Sequence, residues 1–287
     1  MKGIAIGVTG VFAVIGFLFT VVFVGMQLSL FNVRGSSQDR NAFFFGALNG
    51  NNTSTTSTVP VIPEKPCVDN RTSCSWQETP EWAVVKAGLT KDAGVIGRVS
   101  AATGVDGRIM AASVVPEQLR LFTSDREVFK RYFEPLKILG SLTKFSLGVS
   151  GIKEDTANHI EQYANDPTSP FYPGPGYAEL IAYEPGADHD ATLYARLTDS
   201  KDHYYSFLYT ALYLKEITAQ WQRAGYDVSK NPEVLVTLFN IGFNASHPNA
   251  TPHAAGATIH IGGKDYPFGV LGADFYRSSE VTDILPR

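Results

Sequence analysis

The chain of 287 residues lacks sequence features that mark several common classes of protein. It has no run of basic residues and a formal net charge of −4, so nothing in it indicates a nucleic-acid partner. It has no HExxH pattern, and the spacing of its histidines fits no short zinc signature. The histidines considered are His189, His247, His253 and His260. We therefore expect no metal site and no cofactor.

A serine-hydrolase signature is absent as well. The stretch "GVSGI", residues 148–152, is one residue short of the GxSxG nucleophile elbow, and no clear strand precedes it. The sequence also shows no internal repeat. A Ser/His/Asp hydrolase is therefore not indicated.

Cysteine is scarce, since the chain holds only Cys67 and Cys74. They form no CxxC pair, which argues against zinc. In an oxidising compartment they would pair and close a small loop, while two free thiols or half of a metal site are the alternatives. We predict the disulfide, which favours an extracytoplasmic location for the part of the chain beyond the membrane segment.

Charged side chains are missing between Ile4 and Phe31. A helix of this length spans roughly 42 Å at about 1.5 Å per residue, enough to cross a bilayer. A cleaved signal peptide has a shorter apolar core and a small-residue cleavage site, and "VGMQLSLFNVRG" offers no convincing site of that kind. Residues 1–31 are therefore predicted to be an uncleaved transmembrane signal anchor of a single-pass protein of the cell membrane.

The next segment is poor in large apolar residues. Residues 46–66 are rich in Asn, Thr, Ser and Pro and cannot bury enough surface to offset the entropy of ordering. We predict a flexible linker with a disulfide loop over residues 32–80 and a globular domain over residues 81–287. The sequence places the beginning of the globular part near Trp76 or Trp82.

The globular part is predicted to be mainly α, with a small β-hairpin extension. Apolar residues recur at helical spacing in several stretches. One of these stretches has clear end signals: a cap at Asn231, a first helical residue at Pro232 and a stop at Gly242. Asp106 is a candidate cap for the first helix, while Pro116 is expected to disturb it. The predicted helices cover 106–122, 126–142, 153–164, 202–225 and 231–242, and a hairpin covers 257–268 with its turn at Gly262 and Gly263.

Glu117 is the strongest candidate for a catalytic residue. It follows the apolar stretch "AASVVP" at the end of the predicted helix 106–122. A carboxyl group in apolar surroundings can act as a general acid near neutral pH. The alternative is an exposed glutamate at a helix end, paired with Arg120. Other carboxylates nearby, which surface charge explains better, are Asp125, Glu127 and Glu134.

Three motifs in order resemble the lysozyme-like lytic transglycosylases, which cut bacterial peptidoglycan. In that family a helix ends in Glu. A loop serine then precedes Gly-Leu-Met-Gln-Leu/Ile-Met-Pro-x-Thr-Ala, and a later helix carries Tyr-Asn-x-Gly. Over roughly residues 98–280, the matching positions are Glu117, then Ser146, Gly148, Ile152, Thr156 and Ala157, and then Asn240 and Gly242, with Phe239 in the place of the tyrosine.

The resemblance implies a lysozyme-like helical domain, similar to goose-type lysozyme, that cleaves the MurNAc-β-1,4-GlcNAc bond. Glu117 would act as the single acid and base and leave a 1,6-anhydro product. Ser146 would bond the N-acetyl group or orient Glu117, or else only cap the following helix. Asn240 would orient the sugar or bond the backbone of the Glu117 helix. The substrate-binding residues implied are Ser146, Gly148, Ser150, Gly151, Ile152, Phe239, Asn240 and Gly242.

The chain departs from the family pattern in places that bear on sugar binding. Val149, Ser150 and Gly151 stand in place of Leu-Met-Gln, and Phe239 lacks the tyrosine hydroxyl. The expected partners are peptidoglycan glycan strands, the membrane and an envelope protein complex. The alternatives are a lysozyme-type hydrolase and a catalytically inactive, tethered module that binds glycan or serves as a scaffold.

Overall fold

The computed structural model describes residues 74–123 and 146–287. These residues are mainly helical, as the sequence predicts, and they contain eight α-helices and two short antiparallel hairpins. The α-helices are α1 (Pro80–Thr103), α2 (Gly107–Thr123), α3 (Glu154–Asn165), α4 (Tyr177–Leu180), α5 (His189–Thr198), α6 (Tyr204–Arg223), α7 (Pro232–Ile241) and α8 (Phe268–Arg277). The strands are β1 (Ser146–Leu147), β2 (Ile152–Lys153), β3 (Thr258–Ile261) and β4 (Lys264–Pro267). Single 3-10 turns lie at Trp76–Glu78 and Phe243–Ala245.

Several predictions fall outside the described residues. These are the transmembrane anchor 1–31, most of the linker, Cys67 and the helix at 126–142. Within residues 74–123 and 146–287, no helix has both the length and the apolarity to cross a membrane. Cys74 is bonded in a disulfide, and the only other cysteine of the sequence is Cys67.

Helix ends follow local chemistry. The Thr79 side chain accepts a hydrogen bond from the Trp82 N–H at the start of α1, and Gly104 ends that helix with a φ of 68°. The Asn231 side chain caps α7 by accepting from the Val234 N–H at 3.2 Å. The predicted bounds of α7 and of the hairpin turning at Gly262 are thus confirmed.

α2 is the central helix of the described part. Every residue from Ala111 to Leu119 is buried, and the helix packs against α1, α6, α7 and α8. Pro116 was expected to disturb this helix, yet α2 continues through it to Thr123. Pro116 has no N–H to give to the Ala112 carbonyl. Gly272 of α8 covers that carbonyl, because a Cβ on Gly272 would lie only 2.5 Å from the Ala112 oxygen.

The core begins before residue 81. Trp76 is buried, and its ring meets the Trp82 ring edge to face at a centroid distance of 4.9 Å. The Phe275 ring of α8 lies 5.8 Å from the Trp82 ring. Residues within the predicted linker range 32–80 therefore belong to the folded core.

Arg108 joins α2 to the C-terminal residues. Its guanidinium is fully buried and donates hydrogen bonds of 2.7–2.9 Å to backbone carbonyl groups. Several acceptors lie at the end of α8, where the helix dipole favours a positive charge. The acceptors are the carbonyl oxygens of Phe275, Tyr276, Ser278, Glu280 and Leu285.

Candidate functional site

Glu117 lies in the C-terminal half of α2, not at the end of the helix as the sequence suggested. Its side chain is buried, with 4% of the residue surface exposed. The structure therefore agrees in part with each of the two interpretations of Glu117, the catalytic acid and the ion-paired glutamate. The residue is in a buried environment, as the catalytic reading requires, and it is also paired with Arg120, as the other reading proposed.

The Arg120 guanidinium contacts both carboxylate oxygens of Glu117. One terminal nitrogen, Nη2, lies 2.7 Å from Oε1 and 2.6 Å from Oε2. Arg120 follows Glu117 by three positions, so both side chains lie on the same face of α2. The carboxyl group is thus buried and ion-paired at once.

The β1–β2 turn packs directly on Glu117. Gly148 and Gly151 both have positive φ, at 62° and 65°. A Cβ added to Gly151 would lie 2.5 Å from Glu117 Oε1 and 2.6 Å from its Cγ. No side chain fits there, so the turn and the carboxyl group are in contact only because residue 151 is glycine.

The turn is also fixed to the protein around it. The buried Gln118 side chain donates to the Val149 carbonyl oxygen, and the Ser150 hydroxyl donates to the Ser206 carbonyl oxygen at 2.8 Å. A Cβ on Gly148 would collide with the Leu197 carbonyl oxygen and the Ser206 hydroxyl. Gly148 and Ser150, predicted to bind substrate, thus contact α5 and α6 in the structure.

The two strands place the remaining residues of the second motif. Ser146 pairs with Lys153 and Leu147 with Ile152, and the Ile152 side chain is buried. β2 leads at once into α3, which carries Thr156 and Ala157. The side chain of Ser146 lies outside what the structure describes, so its predicted role stays a prediction.

The third motif ends α7. Gly242, with a φ of 93°, follows the last helical residue, and its N–H donates to the Leu238 carbonyl oxygen at 3.1 Å. The Asn240 side-chain oxygen accepts from the Ala257 N–H at 2.8 Å, whereas a bond to the backbone of α2 was one expectation. Phe239 is half-buried, and its ring centre lies 5.2 Å from that of Tyr213 on α6.

The structure thus joins the first two motifs by direct contact and the third only through packing. Glu117 touches Gly151, and Gln118 bonds Val149. α7 packs on α2, but the hydrogen bond described for Asn240 is with the Ala257 backbone and not with α2. Sequence reasoning missed Gln118 and Ser206, because a glutamine and a serine carry no local signal of such contacts.

A second buried carboxyl group lies on α6. Glu216 is fully buried, and among the described residues neither of its oxygens has a hydrogen-bond partner. Burial raises the pKa of Glu216 well above its ordinary value. The Tyr213 hydroxyl, one helical turn away, is also buried without a partner in the described part of the chain. Burial and the nearby Glu216 carboxyl group raise the pKa of Tyr213.

A third group of titratable side chains surrounds Glu161 on α3. Tyr183 donates to Glu161 Oε1 at 2.5 Å, Tyr209 donates to the same oxygen, and His189 Nε2 lies 2.7 Å from Oε2. Hydrogen bonds with Asp190 and with Glu161 raise the pKa of His189. Over residues 74–123 and 146–287, no group of three or more His, Cys, Asp or Glu side chains is arranged to hold a metal ion.

Comparisons of the chain with protein-family models, with curated proteins and with solved structures give no significant match.

Proposed function

We propose that this protein is a membrane-anchored peptidoglycan lytic transglycosylase with a lysozyme-like helical domain. One observation carries the proposal: the buried Glu117 carboxyl group lies against the glycine turn 148–151. Two motifs that are separate in the sequence meet there, in the order that the family resemblance implies, although the stretch between Glu117 and Gly148 is longer than is usual in that family. The mainly helical fold with its two short hairpins is compatible with that resemblance.

Glu117 acts first as an acid and then as a base in the proposed reaction. It protonates the glycosidic oxygen that leaves from the N-acetylmuramic acid ring, while the substrate's own N-acetyl group supports the oxocarbenium-like centre. The Glu117 carboxylate then takes the proton from the C6 hydroxyl, whose oxygen attacks C1 and closes the 1,6-anhydro ring. The proton given up in the first step returns in the second, so the residue is regenerated.

The second candidate is a catalytically inactive, tethered module that binds glycan or serves as a scaffold in an envelope assembly. It is favoured by a specific contact, since Arg120 contacts both oxygens of the Glu117 carboxylate. Gly151 and Phe239 also stand where the family places a glutamine and a tyrosine hydroxyl. Hydrolysis by attack of water on C1 is a further outcome of the same site.

The proposed location follows from the sequence of the N-terminal part. The apolar segment 1–31 would anchor the chain in the cell membrane as a single pass, and the linker would hold the domain at the extracytoplasmic glycan. The disulfide at Cys74 is consistent with an oxidising compartment. The proposed partners are glycan strands, the membrane and an envelope protein complex, without nucleic acid.

The proposal is tested by digesting purified sacculi with the wild-type chain and with Glu117→Gln. Wild type should release 1,6-anhydro-muropeptides, and the variant should lose about 10²–10⁴-fold in rate, because a general acid contributes that much. Glu184→Gln is the matched control, since Glu184 is exposed in the segment before α5. Reducing-end products without the anhydro ring would indicate a hydrolase.

Two results would contradict the proposal. One is the absence of soluble products from both proteins while both still bind sacculi, which would support the inactive module. The other is equal cleavage by wild type and Glu117→Gln, which would move the chemistry to another residue.

A further inference from the structure

Arg120 is the more exposed member of its ion pair with Glu117. The exposed fraction is 21% for the Arg120 side chain and 5% for that of Glu117. The nitrogen Nη2 is within hydrogen-bond distance of both carboxylate oxygens, at 2.7 and 2.6 Å. One arginine nitrogen thus contacts both oxygens of a carboxyl group that is itself almost fully buried.

The carboxyl group has no room to move away from Arg120 toward the hairpin. Gly151 packs so closely that even a methyl group would lie 2.5 Å from Oε1. Gln118 holds the turn in place through the Val149 carbonyl oxygen. Glu117 is thus held between a rigid turn and the guanidinium group.

A glycosidic oxygen must come within about 2.6–3.2 Å of a carboxyl oxygen to receive its proton. Both oxygens already contact one arginine nitrogen, so a ligand that approaches from the same side competes with Arg120 for the carboxyl group. The guanidinium must therefore leave these oxygens before such a ligand can bind there. Release requires that the side chain be displaced.

We propose that Arg120 is a positioning residue that covers the Glu117 carboxyl group in the free protein and is displaced when the glycan binds. The inference rests on the proposed function for its ligand. It adds a residue from outside the motifs that the sequence singled out for substrate binding, and it gives the Glu117–Arg120 pair a role in controlling access to the acid.

The alternative is a merely structural ion pair. Exposed pairs contribute only about 0–1 kcal/mol to stability, so an exposed pair would be of little consequence. Here the carboxyl group is buried, and removing a partner from a buried charge is costly. A structural role therefore predicts loss of stability when Arg120 is replaced, whereas a covering role predicts that Glu117 becomes accessible.

Carbodiimide labelling with glycinamide measures that access without any need for activity. The full chain is labelled as wild type, Arg120→Gln and Arg120→Lys, and modification of Glu117 is quantified by peptide mass spectrometry relative to the exposed Glu184. Both variants should label Glu117 several-fold faster than wild type. Arg120→Lys keeps the charge with a single ammonium group, so it separates access from charge and provides a second variant if Arg120→Gln fails to fold.

Kinetics on sacculi give the second readout. Because the glycan no longer has to displace the guanidinium, KM should fall several-fold in Arg120→Gln while kcat changes less. Equal Glu117 labelling in wild type and in the folded variants would overturn the inference. If wild type cleaves nothing but the variants label faster, the proposed reaction fails while the covering role of Arg120 stands.

Discussion

Gly151 is the residue at which the local backbone and the candidate site depend on each other. Its φ of 65° disfavours every residue with a Cβ, and the Glu117 carboxyl group occupies the space that a Cβ would need. The turn therefore supports Glu117 through backbone packing, without a side chain from residue 151. This is the position at which the family resemblance leads one to expect glutamine.

Replacing Gly151 by alanine should lower the free energy of unfolding more than the same change at Gly186. Both glycines have positive φ, at 65° and 80°, but an added Cβ on Gly186 meets nothing within 4 Å. The left-handed backbone alone costs roughly 1–2 kcal/mol at either position. Gly151→Ala adds overpacking of about 1–3 kcal/mol against Glu117. Denaturant unfolding of both variants measures the difference, and equal losses would contradict the contact.

Glu117 and the glycines of the turn could be singled out from the sequence, but their surroundings could not. A glutamate after an apolar stretch and two glycines before a helix are local patterns. The contacts of Gln118 with Val149 and of Ser150 with Ser206 join residues far apart in the chain. They depend on how α2 and α6 pack around the turn, which no local pattern records.

At the scale of elements, glycines set the distance between α8 and its neighbours. A Cβ on Gly269 would collide with the Thr237 hydroxyl of α7, and one on Gly272 would lie 2.5 Å from the Ala112 oxygen and 2.6 Å from Val236 Cγ1. α8 can therefore pack directly on the backbone of α2 where Pro116 leaves the Ala112 carbonyl without its usual donor. The close packing of α8 on α2 thus occurs at the carbonyl group that Pro116 leaves without a helical donor.

Gly272→Ala and Gly97→Ala should change the stability of the protein in opposite directions. Gly97 lies inside α1 with nothing within 4 Å of an added Cβ, so alanine there should stabilise the protein by up to about 1 kcal/mol through helix propensity. Gly272→Ala gains the same propensity but overpacks the crossing, with a net loss of roughly 1–3 kcal/mol expected. Thermal unfolding of the two variants gives the signs. A gain in Tm for Gly272→Ala would mean that α8 is not closely packed against its neighbours at Gly272.

Glycines also bear on two of the helices that the sequence did not predict. α6 and α7 carry regular apolar spacing, and α7 has clear end signals, so both were predicted closely. Four described helices were not predicted: α1, α4, α5 and α8. In α1 and α8, glycine inside the helical pattern lowers the expectation of a helix. In α8 the glycines serve packing between helices, a purpose that becomes visible only when the neighbouring helix is known.

For the whole molecule, Glu216 makes folding depend on pH. Its carboxyl group is fully buried, both oxygens lack a hydrogen-bond partner among the described residues, and its pKa is raised by burial. A buried carboxyl group in such surroundings is more stable with its proton than without it. At a pH where Glu216 has lost its proton in the unfolded chain, the folded protein must either bind a proton at Glu216 or contain a buried charge. Either requirement lowers the stability of the folded state.

Glu216→Gln should consequently change the pH dependence of stability in a defined direction. Because the folded pKa lies above the ordinary value of 4.5, the contribution of Glu216 to stability is greatest below pH 4.5 and is lost as the pH rises toward the folded pKa. Wild type should lose up to about 1.4 kcal/mol per pH unit in that window relative to the variant.

The glutamine amide adds a cost of its own, but that cost does not vary with pH, so the test is the slope of the difference. Urea unfolding at intervals from pH 4 to pH 8 measures it, with the exposed Glu184→Gln as the control that should follow wild type. A difference between wild type and Glu216→Gln that stays constant across this range would show that Glu216 has a solvated or hydrogen-bonded carboxylate in the folded protein.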